Sequence, residues 1–328
     1  MKELTFPEAL NEVIREEMAR DPTVFVQGED VGPYGGGYFP ALKGLWATFG
    51  GERVRDFPIS ETALVGTALG AAMTGMRPIV DIMFADFSFV CFDQIVNQIA
   101  NMRYMSGGKA KVPIVIRGVI GGGQRLASQH SHSLEALFVQ FPGLVVVTPS
   151  CPRTAKGLLK SAIRNDNPVI FLEHKMLYSA KGPVPEGRDF TLPLGKAQIG
   201  GKGTDLTIVA HAYMTQVAMK AVDQLQHDGI SAEVVDLLTL SPLDSETILK
   251  SVRKTGRVLA VQEAPPMCGM AAEVVALVAE GLGTSLRAAP RRVTAKQAPI
   301  PFSPKLEDYV LPSVTDIVEA ARSMVRGK

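Results

Sequence analysis

Short apolar runs alternate with longer helix-patterned stretches along nearly the whole chain, and this alternation restricts the fold more than any single residue does. In the first half, Val24–Gln27, Pro78–Phe84, Pro113–Arg117, Leu144–Thr148 and Val169–Leu172 read as buried strands. Helices are expected between them, near Pro7–Arg20, Glu61–Gly75, Phe87–Met105, Leu134–Phe141 and Arg153–Asn165. Strands separated by helices build an α/β domain around a mostly parallel sheet. Such sheets bind ligands on the loops beyond the carboxyl ends of their strands. Lys175–Gly203, rich in proline, glycine and charge, breaks the pattern. We place the linker at 186–203, after a first domain over 1–185 and before a second over 204–328. The second domain repeats the alternation, with strands at Leu206–Ala210, Ala232–Asp236 and Val258–Gln262. Its helices are expected at Tyr213–Asp228, Ser245–Thr255, Gly269–Gly281 and after Pro312.

Two such cores need about the length available, 328 residues. A hydrophobic fraction of 46% and a charged fraction of 20% are those of a globular protein. The net charge of +1 lacks the basic excess that phosphate backbones and anionic lipid surfaces reward, so neither nucleic acid nor membrane is expected as a partner. The amino terminus is amphipathic and carries acids, unlike a secretion signal. No stretch reaches the ~18 apolar residues of a membrane span. Cys91, Cys151 and Cys268 are odd in number and form no Cys-x-x-Cys pair, which speaks against a disulfide framework or a zinc site. A cytoplasmic location is expected.

Within this frame one carboxylate stands out. Glu61 opens the stretch Glu61–Met76, which is otherwise apolar or tiny, with Gly or Ala at six positions from Gly66 to Gly75. Such a helix is expected to be packed on all sides. Ser60 would be its N-cap, placing Glu61 in the first turn, where the helix dipole favours negative charge. Glu61 is then either an ordinary first-turn acid or a buried carboxyl kept for proton chemistry. Local pattern leaves both readings open.

The glycine-rich stretches at Ser106–Ala110 and Gly118–Gln124 fit neither a Walker loop nor Gly-x-Gly-x-x-Gly. The second leads from a strand into Gln124–Ser133, a loop that carries His130 and His132 at the carboxyl end of the sheet, a favourable place for chemistry. Glu29 follows the first strand directly, and its plain reading is a solvated turn acid. No Gly-x-Ser-x-Gly and no His-Glu-x-x-His is present.

In order along the chain, Gly28–Gly32, Pro58–Glu61, Phe84–Phe87, Phe92–Asn97, Arg103–Gly107, Gln129–Ser131, Ala155–Leu158, Asn167-Pro168, Glu263–Pro265 and Leu311–Ser313 form a series of landmarks. The chain thereby resembles the beta subunit of the thiamine-diphosphate-dependent decarboxylating component of 2-oxo acid dehydrogenase complexes, of pyruvate, branched-chain 2-oxo acid or acetoin type. The resemblance implies a thiamine-pyrimidine-binding parallel-sheet domain and a smaller transketolase C-terminal-like α/β domain. It implies that Glu61 bonds a ring nitrogen of the cofactor's aminopyrimidine and must be protonatable to favour the ring's imino form. Met83 and Phe87 match the pyrimidine wall, although Met83 also reads as plain core. Glu29 looks like the acid behind the cofactor. His130 matches the histidine that stabilises the substrate-derived intermediate and assists acyl transfer to a lipoyl group. Ile114, Ala162, Asn165 and Asn167 match the place of a structural potassium ion in relatives.

No Gly-Asp-Gly occurs in the chain. Thiamine enzymes use that motif to hold magnesium and the diphosphate through hard oxygen ligands. The resemblance therefore implies an obligate alpha subunit that carries Gly-Asp-Gly and holds the magnesium, in a tetramer of two alpha and two beta chains, with a lipoyl acyltransferase core as further partner. Gln262, Pro266–Gly269 and Ala295–Ala298 depart from the family's usual turns. Pyruvate is the favoured substrate, and Met83 leans away from the branched-chain relatives. The alternatives are acetoin cleavage, a non-catalytic assembly subunit of the same fold, and a transketolase-like half enzyme acting on sugars. Against the last, no cluster of histidines and arginines suits a sugar phosphate.

Overall fold

The computed structural model describes residues 1–33 and 39–327. They divide into two compact units, Met1–Ile120 with Leu137–Leu194, and Gly121–Ala136 with Gly195–Lys328.

The first unit contains β1 (Lys2–Thr5), β2 (Val24–Gly28), β3 (Val54–Asp56), β4 (Arg77–Phe84), β5 (Val115–Ile120), β6 (Val145–Val147), β7 (Val169–His174) and β8 (Lys181–Val184). Six of these form one sheet in the order β6-β7-β5-β4-β2-β3, with every neighbouring pair parallel. Every residue of β2, β5 and β7 is buried, as expected of parallel strands covered on both faces, whose sequences are continuous rather than alternating in hydrophobicity. The helix Phe6–Arg20 is started by a capping box between Thr5 and Glu8. Its acids reach the fully buried ammonium groups of the helix Pro152–Arg164: Lys156 lies 2.5 Å from Glu12, and Lys160 bonds Glu16.

Three expectations are modified, each for a local reason. β5 starts at Val115 rather than Pro113, because proline has no N–H for the ladder and the Ile114 N–H donates back to the Val112 carbonyl at 2.8 Å. The helix expected over Phe87–Met105 is split into a tight turn at Ala85–Phe89, a wide π-helical stretch at Gln94–Ile99 and a regular turn at Ala100–Met105. Asn101 supports the wide stretch by donating its amide to the carbonyl of Val96, five residues back, at 3.0 Å. Within the linker expected at 186–203, Gln198–Gly200 is no connector; it is a strand that pairs antiparallel with Ala232–Asp236.

The second unit has β9 (Gln198–Gly200), β10 (Leu206–Ala210), β11 (Ala232–Asp236), β12 (Thr239–Ser241), β13 (Val258–Val261) and β14 (Arg291–Val293). Its five-stranded sheet runs β14-β13-β10-β11-β9, parallel except for β9. Helices Ala212–His227 and Val314–Arg326 close part of its core through Met214, Ala218, Ile317 and Ala321, packed with Ile208, Val234 and Leu259. The loop Gly121–Ala136, which leaves β5, belongs to this second unit.

Candidate active site

Glu61 is the first residue of the helix Glu61–Met73 and only 6% exposed. Ser60 occupies the N-cap position, yet its side chain makes no cap bond. The helix is not packed on all sides. Thr62, Ala63, Thr67, Gly70 and Met73 face outward, and none of them is charged. Beside its first turn, Ile59, Phe89 and Val90 are exposed apolar side chains, with the Thr62 hydroxyl donating to the Val90 carbonyl at 2.8 Å. A chargeless, partly apolar face around a buried carboxylate is a poor surface to leave in water.

Glu29, at the carboxyl end of β2, is buried rather than solvated, and its Oε1 has no hydrogen-bond partner among the described residues. Burial pushes its carboxyl above the usual range, the nearby Glu61 charge pushes it further, and a hydrogen bond from the Ser60 backbone opposes both. The Cys91 thiol is pushed up to about 12, by burial first and then by Glu61. Negative charge is thus disfavoured at Glu29 and Cys91, both near Glu61, and the thiol stays protonated and unreactive.

Because Glu29 is raised in the folded state, its favourable contribution is complete below the ordinary glutamate range. It is lost as pH rises through the raised value. Replacing Glu29 with Gln in the isolated chain is therefore expected to raise the Tm by about 2–4 °C near neutral pH. The gain should vanish towards about pH 3, below the ordinary glutamate range, where both states hold the proton. Thermal unfolding at the two pH values checks this, and an equal shift at both would contradict it.

Met83 and Phe87 lie at the carboxyl end of β4, both half-buried. Pairing with β5 slips between Asp81 and Phe84, and Met83 within this bulge adopts a left-handed backbone with φ 56°. The strained turn is held by Asp81, whose carboxylate accepts the Met83 N–H at 2.8 Å. Phe87 packs edge-to-face on Phe84 at 5.8 Å.

Behind them runs a buried ionic chain that sequence reasoning missed. Arg117 on β5 bonds Glu173 on β7 at 2.7 and 3.0 Å and Asp81 on β4 at 3.1 Å, and the Tyr178 hydroxyl donates to Glu173. Burial alone would lower the Arg117 pKa, but Glu173 and Asp81 outweigh it and keep the guanidinium charged. Charged residues inside apolar strand runs were the available signal.

The potassium-matched oxygens cluster elsewhere in the first unit and already accept hydrogen bonds. Val169 N–H donates to the Ile114 carbonyl at 2.8 Å and Asn165 N–H to the Ala162 carbonyl at 3.1 Å. Arg77 donates to the Asn165 carbonyl at 3.0 Å and Arg103 to Asn167 Oδ1 at 2.7 Å. Two guanidinium groups thus lie among the oxygens matched to the potassium place.

His130 ends a single 3-10 turn, Ser128–His130, and is half-buried. It belongs to the second unit, whereas Glu61, Glu29, Met83 and Phe87 belong to the first. Ser131, next to it, is buried with no hydrogen-bond partner for its hydroxyl among the described residues.

Residues 2–181 match the family described as transketolase, pyrimidine binding domain, and residues 195–317 match transketolase, C-terminal domain. The acetoin:2,6-dichlorophenolindophenol oxidoreductase subunit beta of Cupriavidus necator is 49% identical over 99% of this chain and 98% of its own length. The pyruvate dehydrogenase E1 component subunit beta of Bacillus subtilis is 46% identical over 99% of both. The chain belongs to the beta-subunit family of thiamine-dependent 2-oxo acid dehydrogenases. A solved structure described as a split gene transketolase, inactive beta4 tetramer, shares the fold, with a TM-score of 0.77 at 24% identity over 98% of each chain. Membership identifies the first unit as the pyrimidine-binding one, and beta subunits of this family imply an alpha subunit as partner. Glu29 Oε1, buried without a donor among the described residues, would suit a polar group of a bound ring, and the half-buried Phe87 carries an aromatic ring of the kind that stacks on one. Among the described residues no helix is long and apolar enough to cross a membrane.

Proposed function

We propose that the chain, together with an alpha subunit, decarboxylates a 2-oxo acid, with pyruvate favoured, and transfers the acyl group to lipoamide. The observation that carries the proposal is the burial of Glu61 in the first turn of its helix, beside a second carboxyl, Glu29, which its surroundings keep from ionising easily.

When bound, thiamine diphosphate supplies the carbon nucleophile for the 2-oxo carbonyl and accepts the electron pair left by carbon dioxide. Glu61 holds a proton on its carboxyl and shares it with a ring nitrogen of the pyrimidine, a task that a solvated glutamate, ionised at neutral pH, could not perform. Glu29 keeps the wall behind it poor in negative charge when protonated. Phe87 presents an aromatic ring and Met83 a thioether edge that exclude water from the pyrimidine. His130 stabilises charge on the substrate-derived group and moves a proton as the acyl group leaves for the lipoyl thiol.

Gly-Asp-Gly is missing from the chain, so the diphosphate and its magnesium are assigned to the alpha subunit, in a tetramer of two alpha and two beta chains. The uncharged face around Ile59, Met73, Phe89 and Val90 is the surface that the alpha subunit would cover. The second unit would contact a lipoyl acyltransferase core, and three free cysteines suit a reducing cytoplasm. Cleavage of acetoin is the second reading, favoured by the 49% identity to the Cupriavidus necator subunit.

Co-expression with an alpha subunit, followed by assay of the purified pair with pyruvate, branched-chain 2-oxo acids and acetoin, separates these readings. Pyruvate-dependent acylation of lipoamide is the expected outcome. Turnover of acetoin alone would move the assignment to the second reading, and a stable pair without turnover on any substrate would leave an assembly subunit.

A further inference from the structure

Within the second unit, the loop that carries His130 is bound at its base by carboxylates from distant parts of the chain. Gly122 N–H donates to Glu263 at 2.7 Å and the Ser133 hydroxyl to the same oxygen at 3.3 Å. Gly123 N–H donates to Glu307 at 2.8 Å and Arg125 N–H at 3.2 Å. The Arg125 guanidinium folds back onto Glu307 at 2.6 Å and Asp308 at 2.7 Å. Glu307 lies on the short helix Pro304–Val310 and is fully buried. A buried carboxylate that accepts two backbone N–H groups and a guanidinium is held strongly and in one geometry.

The loop is bent against its own preference. Arg125 and Ala127 both have left-handed backbones, φ 61° and 60°, which side-chain-bearing residues adopt only where surroundings enforce it. Gly122 approaches so closely that a Cβ would lie 2.8 Å from Leu311 Cδ1 and 3.3 Å from Glu307 Oε1. His130 follows three residues after Ala127, in the turn that these constraints deliver.

We propose that Glu307, Glu263 and Arg125 form a clamp that positions His130. They are positioning residues: none reacts, and they act through the loop conformation. The proposal rests on the reading of His130 as a catalytic residue, and its test keeps the two apart.

The test measures lipoamide acylation by the reconstituted alpha–beta enzyme carrying Glu307→Gln, Gly122→Ala or Arg125→Lys, each with and without His130→Gln. Misplacing a reacting group by about 1 Å costs on the order of 10²-fold. Glu307→Gln should lower kcat to about that extent and Gly122→Ala by less, since the Leu311 side-chain end takes up part of the added Cβ, while Arg125→Lys, which keeps the charge, should retain much more. Combined with His130→Gln, neither should lower the rate further, because the group they position is already gone. The two losses also give different variants of the same loop, so a folding failure in one leaves the other to decide.

Multiplying losses in the double variants, or wild-type rates in both single variants while His130→Gln is impaired, would overturn the clamp alone. A wild-type rate for His130→Gln would instead overturn the catalytic reading, and the positioning role with it.

Discussion

Glu61→Gln in the reconstituted alpha–beta enzyme is expected to lower lipoamide acylation by about 10²–10⁴-fold, the range lost when a positioned proton donor is removed. Glutamine keeps the size and the hydrogen-bonding capacity of the carboxylic acid but has no titratable proton, so the loss should fall on turnover. Binding of thiamine diphosphate, measured by fluorescence quenching or calorimetry on the same pair, should change far less. The environment supports this division: Glu61 is buried at the start of its helix and receives no side-chain cap bond from Ser60. A first-turn acid with a purely electrostatic role would behave differently, since stabilising a helix end is worth only about 0.3–1 kcal/mol. Its loss would appear in the Tm and leave acylation almost unchanged. Acylation within a few-fold of wild type would therefore remove Glu61 from the chemistry and return it to that ordinary role.

How far the sequence announced the fold depends on how local each cause is. β10 and β11 fall on the residues expected, Leu206–Ala210 and Ala232–Asp236, because each is a short run centred on β-branched apolar residues, Ile208-Val209 and Val234-Val235, and bounded by turns. The stretch Phe87–Met105 read as one helix because its composition is helical throughout. The wide stretch within it is supported by side-chain bonds from Asn101 to the Val96 and Asn97 carbonyls, which no period reveals. The Glu61 helix was expected to be packed all round because it lacks charge, and the missing charge instead marks an outward face. A partner's surface and a protein core impose the same composition, so a single chain cannot tell them apart by hydropathy. Glu29 had the look of a solvated turn acid, and only the packing of the Glu61 helix against the end of β2 shows that it is buried. The loop carboxylate Glu307 was invisible for a simpler reason: it lies 184 residues beyond the glycine it binds.

Arg117→Met is the substitution expected to cost the most stability. Its guanidinium is a cationic partner of two buried carboxylates, bidentate to Glu173 and single to Asp81, and Glu173 also accepts the Tyr178 hydroxyl. Burial pushes the Glu173 carboxyl up and Arg117 works against that push, so without the arginine two acids remain in a low-dielectric sheet and lose that balance. Breaking a buried ion pair from one side costs about 3–5 kcal/mol, a large share of the roughly 5–15 kcal/mol that holds an ordinary domain folded. At about 2–4 °C per kcal/mol, the Tm of the isolated chain should fall by roughly 6–20 °C. Removing the acids as well tests the cause: Arg117→Met combined with Glu173→Gln and Asp81→Asn should recover much of the loss, because the penalty belongs to unpaired charge and not to the shape of arginine. Tyr178→Phe, which deletes one hydrogen bond and leaves the charges paired, should cost only about 0.5–1.5 kcal/mol. The chain of ions also reaches the site, since the same Asp81 that bonds Arg117 accepts the Met83 N–H and holds its left-handed turn. Any Arg117 variant that still folds should therefore bind thiamine diphosphate more weakly in the reconstituted enzyme. A variant that melts like wild type would show that the three strands are held by their apolar packing alone, and that the ions merely accompany it.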